Sequence, residues 1–242
     1  MCFALIMISL FTCIFLIFFS FLPPLIYTLW IRNTERCHRE QWIPIFLCFL
    51  WGATIAVVAS FILELLVELP FAYSVSYMET TPFLAAVVIA PVIEELTKPL
   101  ALRFKLVRKN LNELEDGLIY GAVAGLGFSA TENLLYGYSF LSEGILLFFV
   151  LMIIRSFGGC LLHASATALT GYGYGKTVIK QSSLIRVIPY FILAIFLHGF
   201  YNFFLSYELI GVISGFFLSL LFVIIAITMI RHKIRNLDEK NC

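Results

Sequence analysis

Long runs of apolar residues constrain this chain more than any other feature of its sequence. A helix that crosses a bilayer needs about 20 predominantly apolar residues. Seven segments meet this length, roughly 3–31, 42–69, 80–104, 116–139, 144–172, 185–206 and 208–231. Hydrophobic residues make up 61% of the 242 residues and charged residues only 13%, whereas soluble domains are about half apolar and a quarter charged. The sequence therefore predicts an all-α polytopic transmembrane bundle of about seven spans, forming one integral membrane domain over 1–242.

The basic residues predict the direction in which the helices cross. Of the 16 Lys and Arg residues, all but Lys98 and Arg155 lie in or beside the loops after the first, third and fifth spans and in the C-terminal tail. The alternate loops, FAYSVSYMET, SFLSEG and SYEL, contain none. Because loops rich in Lys and Arg stay in the cytoplasm, we expect a multi-pass protein of the cell membrane with its N-terminus outside and its C-terminus in the cytoplasm.

Several other kinds of protein are not supported by the sequence. None of the six cysteines forms a CxxC or CxxH pair, so we expect neither a zinc finger nor a disulfide framework. The first segment lacks a basic start and is too long for a signal peptide, which predicts a retained span. No basic tract suited to nucleic acid occurs, so the expected partners are the lipid bilayer and membrane proteins.

Polar and ionisable side chains inside the predicted spans are few and fall on four successive spans. Such groups are costly in a bilayer and usually mark a functional site or a buried ion pair. The third span has Glu94, Glu95 and Lys98, the fourth Glu132 and Asn133, the fifth Arg155 and His163, and the sixth His198, Tyr201 and Asn202. We expect them to face a common interior, with the first, second and seventh spans serving only as packing. Glu64 and Glu68 lie near the outer end of the second span, where interfacial solvation explains them.

The stretch PVIEELTKP at 91–99 is the most unusual of these segments. Glu94 and Lys98 are four residues apart and can pair on one helix face. Pro91 and Pro99 each remove a helix hydrogen bond, and irregular backbone at membrane depth is tolerated where it lines a cavity. The sequence predicts a helix interrupted on both sides of the charged residues, so that water reaches them.

Glycines predict where the helices pack most closely. Gly117, Gly121 and Gly125 repeat at four-residue steps in the fourth span, and Gly127 adds another small position. The fifth span contributes further small residues, Gly158, Gly159, Ala164 and Ala168. Such surfaces allow a neighbouring helix to approach closely.

The charge count favours acid–base chemistry over a purely structural network. Three carboxylates, Glu94, Glu95 and Glu132, face two cations, Lys98 and Arg155, so one carboxyl is expected to be protonated or a histidine to be charged. We expect Arg155 to pair with a carboxylate rather than take part in the chemistry.

Two hydrolytic routes are equally open from these residue types. A glutamate can deprotonate a water while an amide or imidazole stabilises the oxyanion. Alternatively, zinc can be held by His163, His198 and Glu132, with another glutamate as base. The sequence has no GxSxG and no HExxH, and no pair of catalytic aspartates is apparent.

Four motifs, in order, resemble those of the PrsW family of intramembrane proteases. EELTK at 94–98 is similar to its E-E-x-x-K motif and FSATEN at 128–133 to its F-x-x-x-E-N motif. His163 matches a lone histidine, and HGFYN at 198–202 resembles H-x-x-x-N. The resemblance covers a core of about 80–206. It implies a protease that cuts single-pass membrane proteins within or beside the bilayer, such as the anti-sigma factor cut by the founding member.

The resemblance also implies roles for the residues of these motifs. Either Glu94 or Glu95 would activate the water, and we favour Glu94 because its lysine partner can keep it ionised. His163 and His198 would orient the water, bind a metal or stabilise the oxyanion. Asn202 would help to stabilise the oxyanion, and Glu132 would complete the site. Lys98 would hold the glutamate pair in place. The supporting residues would be Asn133, Arg155 and Tyr201.

Three alternative functions remain open from the sequence. A proton-coupled transporter also uses intramembrane carboxylates and histidines, but no second copy of EExxK indicates an inverted repeat. A non-catalytic scaffold exists in the wider superfamily as a subunit of gamma-secretase, although here every motif position is filled. Prenyl-protein endopeptidases of the same superfamily have a histidine where this chain has Glu132.

Overall fold

The described part of the protein consists of helices joined by short loops. The computed structural model describes residues 2–69, 82–207 and 210–242, and no strand occurs among them. The α-helices are α1 Cys2–Arg32, α2 Trp42–Trp51, α3 Val57–Glu68, α4 Ala90–Thr97, α5 Lys105–Arg108, α6 Leu114–Leu141, α7 Ile145–Phe157, α8 Gly159–Ile179, α9 Ile188–Ser206 and α10 Val212–Asn241. Gly52–Ala56 and Ala85–Ile89 are π-helices, and Lys98–Arg103 and Leu184–Val187 are 3-10 helices. The predicted all-α class is confirmed.

Within the part of the chain that the structure describes, five helical stretches are long and apolar enough to cross a membrane, which makes the chain a multi-pass membrane protein. They are Leu10–Arg32, Trp42–Glu68, Ile145–Ile179, Leu184–Ser206 and Ile213–Asn241. The predicted third and fourth spans, 80–104 and 116–139, are helical where described but are not among the five. The third predicted span contains several charged residues and the fourth several glycines, so both are less hydrophobic than the five stretches above. The count of seven and the orientation stay predictions, and residues 70–81, with the loop after the second span, lie outside the described residues.

Helix α6 lies at the centre of the bundle, and every residue from 115 to 130 is buried. The predicted glycine surface is confirmed, because a Cβ atom added at any of its three regularly spaced glycines would overlap a main-chain oxygen of α8. The pairs are Gly117 with Gly171, Gly121 with Thr167 and Gly125 with His163. On another side, a Cβ at Gly127 would overlap the main-chain oxygen of Phe49 in α2. Two neighbouring helices thus pack directly against the α6 backbone.

We expect Gly125→Ala to lower the stability of the fold. Its Cβ would overlap the His163 carbonyl, so α6 and α8 must separate, and overpacking of this kind costs about 1–3 kcal/mol. Gly159→Ala is the matched control, because its Cβ would lie 3.6 Å from the nearest atom, a side-chain nitrogen of Arg155. Thermal unfolding in detergent should show a lower midpoint for Gly125→Ala alone. Equal midpoints for the two variants would contradict the close packing.

The segment from Ala85 to Arg103 changes helix type twice without leaving the helix. A π-helix leads directly into α4, where Pro91 is the second residue and removes one main-chain donor from the continuous helix. Pro99 then opens the 3-10 helix. The interruption predicted at both prolines therefore takes the form of a change in helical winding. Trp51 fixes this segment from the side by donating its indole N–H to the Thr97 carbonyl at 3.0 Å.

One end of the bundle gathers the loop after α1, the start of α6 and the end of α10. The Asp238 carboxylate accepts the main-chain N–H groups of Arg36 at 2.7 Å and Cys37 at 3.2 Å. A disulfide joins Cys37 to Cys242, which corrects the expectation that no cysteines pair. The pairing spans 205 positions in the sequence, so only the fold brings the two together. The basic residues predict that this end of the bundle lies in the cytoplasm. Because disulfides are rare in the cytosol, the Cys37–Cys242 disulfide does not fit that predicted orientation.

Candidate active site

The predicted site residues converge around the buried ammonium of Lys98. This side chain is fully buried, and its Nζ lies 2.8 Å from Glu95 Oε1 and 2.9 Å from Glu94 Oε2. It also lies 2.9 Å from His163 Nδ1 and 4.5 Å from the centre of the Phe128 ring. The predicted pairing of Glu94 with Lys98 is confirmed, and the same lysine also pairs with Glu95.

Glu95 is a fully buried carboxylate with both oxygens occupied. Oε1 accepts hydrogen bonds from Lys98 at 2.8 Å and from His198 Nδ1 at 3.0 Å, and Oε2 accepts one from the Thr167 hydroxyl at 2.9 Å. Thr167 was not predicted from the sequence, since a threonine in an apolar span carries no signal of its own. Glu95 therefore fixes the positions of its neighbours and has no oxygen free for water.

Glu94 differs from Glu95 in its surroundings. Its Oε2 pairs with Lys98 at 2.9 Å, but the geometry does not make a hydrogen bond, and this oxygen has no hydrogen-bond partner. The same oxygen lies 3.7 Å from His163 Nδ1 and 3.9 Å from His198 Nε2. Glu94 is thus the carboxylate of the pair that has an oxygen available.

The hydrogen-bond partners assign the tautomer of each histidine. An ammonium only donates, so His163 Nδ1 accepts from Lys98 and its Nε2 carries the hydrogen, 2.7 Å from Glu132 Oε2. A carboxylate only accepts, so His198 Nδ1–H donates to Glu95. His198 Nε2 is then left with a free lone pair that faces Glu94.

Glu132 is held from the opposite side by Arg155. Arg155 Nη2 lies 2.9 Å from Glu132 Oε2, and its Nε donates to Asn133 Oδ1 at 2.7 Å. The guanidinium also lies 4.3 Å from the centre of the Tyr136 ring. The prediction that Arg155 pairs with a carboxylate is confirmed, and Asn133 is the neighbour that orients the guanidinium.

Tyr201 and Asn202 are placed at the margin of this network. The Asn202 amide nitrogen donates to the Ala86 carbonyl at 2.7 Å, in the π-helix that precedes α4. The Tyr201 hydroxyl fills the space that a Cβ on Gly158 would take. Their predicted roles stay predictions, and the structure shows that both residues pack against irregular backbone.

A cavity of about 590 Å³ opens beside the carboxylates, between α3 and α6. Glu94 and Glu132 line it together with mostly apolar side chains. The wall from α3 consists of Val57, Val58, Ser60, Phe61 and Glu64. The second span therefore does more than pack, because five of its residues, Glu64 among them, form this wall. The interfacial interpretation of Glu64 stays a prediction. The spacing 57, 60, 61 and 64 follows one helix face and could have indicated this wall.

The residues around Glu94 match the ligand types of a zinc site. Among the described residues, Glu94, His163 and His198 offer ligand atoms that all lie within 4.8 Å of one another, and two imidazoles with one carboxylate suit zinc. Lys98 Nζ lies 2.9 Å from two of these three residues and must move for an ion to enter. The predicted ligand set of His163, His198 and Glu132 stays a prediction; Glu132 faces His163 from the far side.

Comparisons with known proteins find similar sequences that extend over most of the chain. A family model described as PrsW family intramembrane metalloprotease matches residues 40–229. A protein named Protease PrsW from Clostridioides difficile is 30% identical over 193 residues, which cover 78% of each chain. Another Protease PrsW, from Oceanobacillus iheyensis, is 29% identical over 160 residues, covering 62% of this chain and 70% of the relative. No solved structure matches significantly.

Proposed function

The chain belongs to the PrsW family of intramembrane metalloproteases, and we propose that it hydrolyses peptide bonds of single-pass membrane proteins with a water activated by Glu94. Family membership makes it a membrane protease. The observation that carries the finer proposal is the position of Glu94. This residue lines the cavity, and its Oε2, which pairs with Lys98 but has no hydrogen-bond partner, lies 3.9 Å from His198 Nε2.

Glu94 suits the role of general base better than Glu95 does. A base must reach the proton that it removes, and Glu94 borders the 590 Å³ cavity while its Oε2 makes no hydrogen bond. Both oxygens of Glu95 already accept hydrogen bonds, from Lys98, Thr167 and His198. In this proposal Glu95 is a positioning residue that holds His198 Nε2 towards the water.

The proposed reaction begins when a water donates one hydrogen bond to Glu94 and the other to His198 Nε2. Glu94 takes the proton as the oxygen attacks the carbonyl carbon of the substrate, and later returns it to the leaving amine. Lys98 pairs with Glu94 and also contacts His163, so it holds the two side chains close together. We assign the oxyanion to the second amide hydrogen of Asn202, since the other is bound by Ala86.

Should a zinc ion take part, Glu94, His163 and His198 are the residues that would hold it. A bound ion supplies Lewis-acid polarisation of the carbonyl and lowers the pKa of its water. The proposed role of Glu95, which is to position His198, is the same with or without a bound ion. Loss of cleavage on treatment with a chelator, restored by zinc, would add the metal to the site.

The cavity supports entry of a substrate from within the bilayer. Its walls come from α3 and α6, and α3 exposes Val58 and Phe61 beside it. Such apolar exposure fits lipid or a transmembrane segment. We propose that a single-pass helix unwinds into this cavity, so that a peptide bond reaches Glu94; a membrane-bound anti-sigma factor is the substrate class that the family resemblance suggests.

Cleavage in proteoliposomes tests this function directly. The purified protein is mixed with a panel of single-pass membrane segments, and the products are identified by mass spectrometry. We expect cuts with the wild type that are absent with the Glu94→Gln/Glu95→Gln double variant, because the substitutions remove the base and the group that positions its neighbours. Equal product profiles from both proteins would contradict a catalytic role of the pair and favour a non-catalytic scaffold.

A further inference from the structure

A second group of buried carboxylates lies far from the candidate active site. Glu35 from the loop after α1, Glu115 from the first turn of α6 and Asp238 from the last turn of α10 are at most 1% exposed. Each offers an oxygen, and the three oxygens lie within 4.8 Å of one another. Glu115 and Glu132 are 17 positions apart on α6, about 25 Å at 1.5 Å per residue.

No lysine or arginine neutralises this group within the described ranges. His38 Nδ1 lies 3.7 Å from the neighbouring Glu113, which is outside the group, and its imidazole is largely exposed. Arg39 is adjacent, but its Nε donates to the main-chain carbonyl of Glu35 rather than to the carboxylate. The active site differs in this respect, because Lys98 and Arg155 face its carboxylates.

Two oxygens in the group have no hydrogen-bond partner. Glu35 Oε2 accepts the main-chain N–H of Glu40 at 2.9 Å, whereas its Oε1 has no partner. Glu115 Oε1 accepts the amide of Asn241 at 2.9 Å, whereas its Oε2 has none. Buried polar atoms almost always have a partner. Two such oxygens within one cluster of carboxylates indicate a missing positive group.

Helix ends do not supply that positive group. Glu115 sits in the first turn of α6, where the helix dipole favours an acidic side chain. Glu113 and Asp116 already cap that turn by a reciprocal capping box. Asp238 lies in the last turn of α10, where the dipole disfavours a negative charge. The helix dipole can therefore stabilise the negative charge of Glu115, but not the charges of Asp238 and Glu35.

We propose that Glu35, Glu115 and Asp238 bind a hard divalent cation, Mg²⁺ or Ca²⁺, that fastens the first loop and the C-terminal helix to the start of α6. All three donors are carboxylate oxygens, which these ions prefer, and none is the nitrogen or sulfur that softer metals favour. The ion would supply the partner missing at Glu35 Oε1 and Glu115 Oε2. This site is separate from the proposed catalysis and does not rest on it.

Protons are the competing counter-ion at this position. Burial raises the pKa of Glu35 to about 8, so near neutral pH a proton can occupy the carboxyl instead. The binding experiment is therefore run at about pH 8.5, where proton competition is weaker.

Thermal unfolding of the full-length, chelator-treated protein tests the proposal. Mg²⁺ or Ca²⁺ is titrated at constant ionic strength, and Na⁺ serves as the control. At a hundredfold excess over the Kd we expect the midpoint to rise by about 5–10 °C. The rise should disappear in Glu35→Gln and in Glu115→Gln, whatever their basal midpoints. It should persist in Glu94→Gln, which alters only the candidate active site, and in the exposed control Glu143→Gln.

Each other outcome would overturn the proposal. Absence of a rise with either ion in the wild type, or a rise that survives in both Glu35→Gln and Glu115→Gln, would exclude this site. A rise lost in Glu94→Gln would place the ion in the active site. A rise with Zn²⁺ alone that is lost in Cys242→Ser would place it on Cys37 and Cys242. Should Glu35→Gln fail to fold, Asp238→Asn gives the same comparison.

Discussion

Replacing Glu94 by glutamine should lower the rate of peptide cleavage about 10²–10⁴-fold and leave the fold intact. Removal of a positioned general base has this effect, and glutamine keeps the size of the side chain. Glu94 Oε2 has no hydrogen-bond partner, so the substitution removes its ion pair with Lys98 but breaks no hydrogen bond of this oxygen. Cleavage in proteoliposomes gives the rate, and thermal unfolding shows whether the protein is folded.

Glu95→Gln separates the two glutamates. Both substitutions should lower the cleavage rate, but only Glu95→Gln should also lower the unfolding midpoint. The reason is that the Glu95 carboxylate is fully buried and accepts hydrogen bonds from Lys98, Thr167 and His198. Glu143→Gln, on an exposed turn, is the control for the substitution itself. Exogenous formate should partly restore Glu94→Ala, since a small carboxylate can take the place of the missing base. Full activity of Glu94→Gln together with loss in Glu95→Gln would reverse the assignment.

The second large effect is expected at Lys98. Lys98→Met removes a fully buried cation and leaves Glu94 and Glu95 without their counter-ion. Removing one partner of a buried ion pair costs about 3–5 kcal/mol, which for a chain of this size corresponds to a fall in the unfolding midpoint of roughly 6–20 °C. Methionine fills a similar volume, so the loss measures charge rather than packing.

Combined variants test this explanation of the Lys98 effect. When Glu94→Gln and Glu95→Gln accompany Lys98→Met, no buried carboxylate is left unpaired there, and most of the stability should return. Lys180→Met, at an exposed position after α8, should leave the midpoint close to that of the wild type. A Lys98→Met protein as stable as the wild type would show that the glutamates find another partner.

Helical spacing was enough to predict several parts of the site. The four-residue step from Glu94 to Lys98 predicts their ion pair, which the structure confirms. The glycine repeat of α6 predicts close helix packing, also confirmed. These predictions succeed because residues three or four apart on a helix share a face, whatever the rest of the fold does.

Contacts between distant segments could not be predicted in this way. Thr167 binds Glu95 across 72 positions, and Glu64 reaches the active-site cavity from a helix expected only to pack. The Cys37–Cys242 disulfide and the Glu35, Glu115 and Asp238 cluster likewise join segments that lie far apart in the sequence. A single sequence contains no signal for which of many possible helix faces will meet.

The sequence by itself thus determined that the chain is a helical membrane protein of the PrsW family with a few charged residues inside its helices, because apolar length and helical period are local properties. Only the tertiary structure decided how the two adjacent glutamates differ. Glu95 points into the packed interior and is saturated by three partners, whereas Glu94 borders the cavity with an oxygen to spare. Their difference comes from the helices packed around them, since neighbouring residues on one helix face different surroundings.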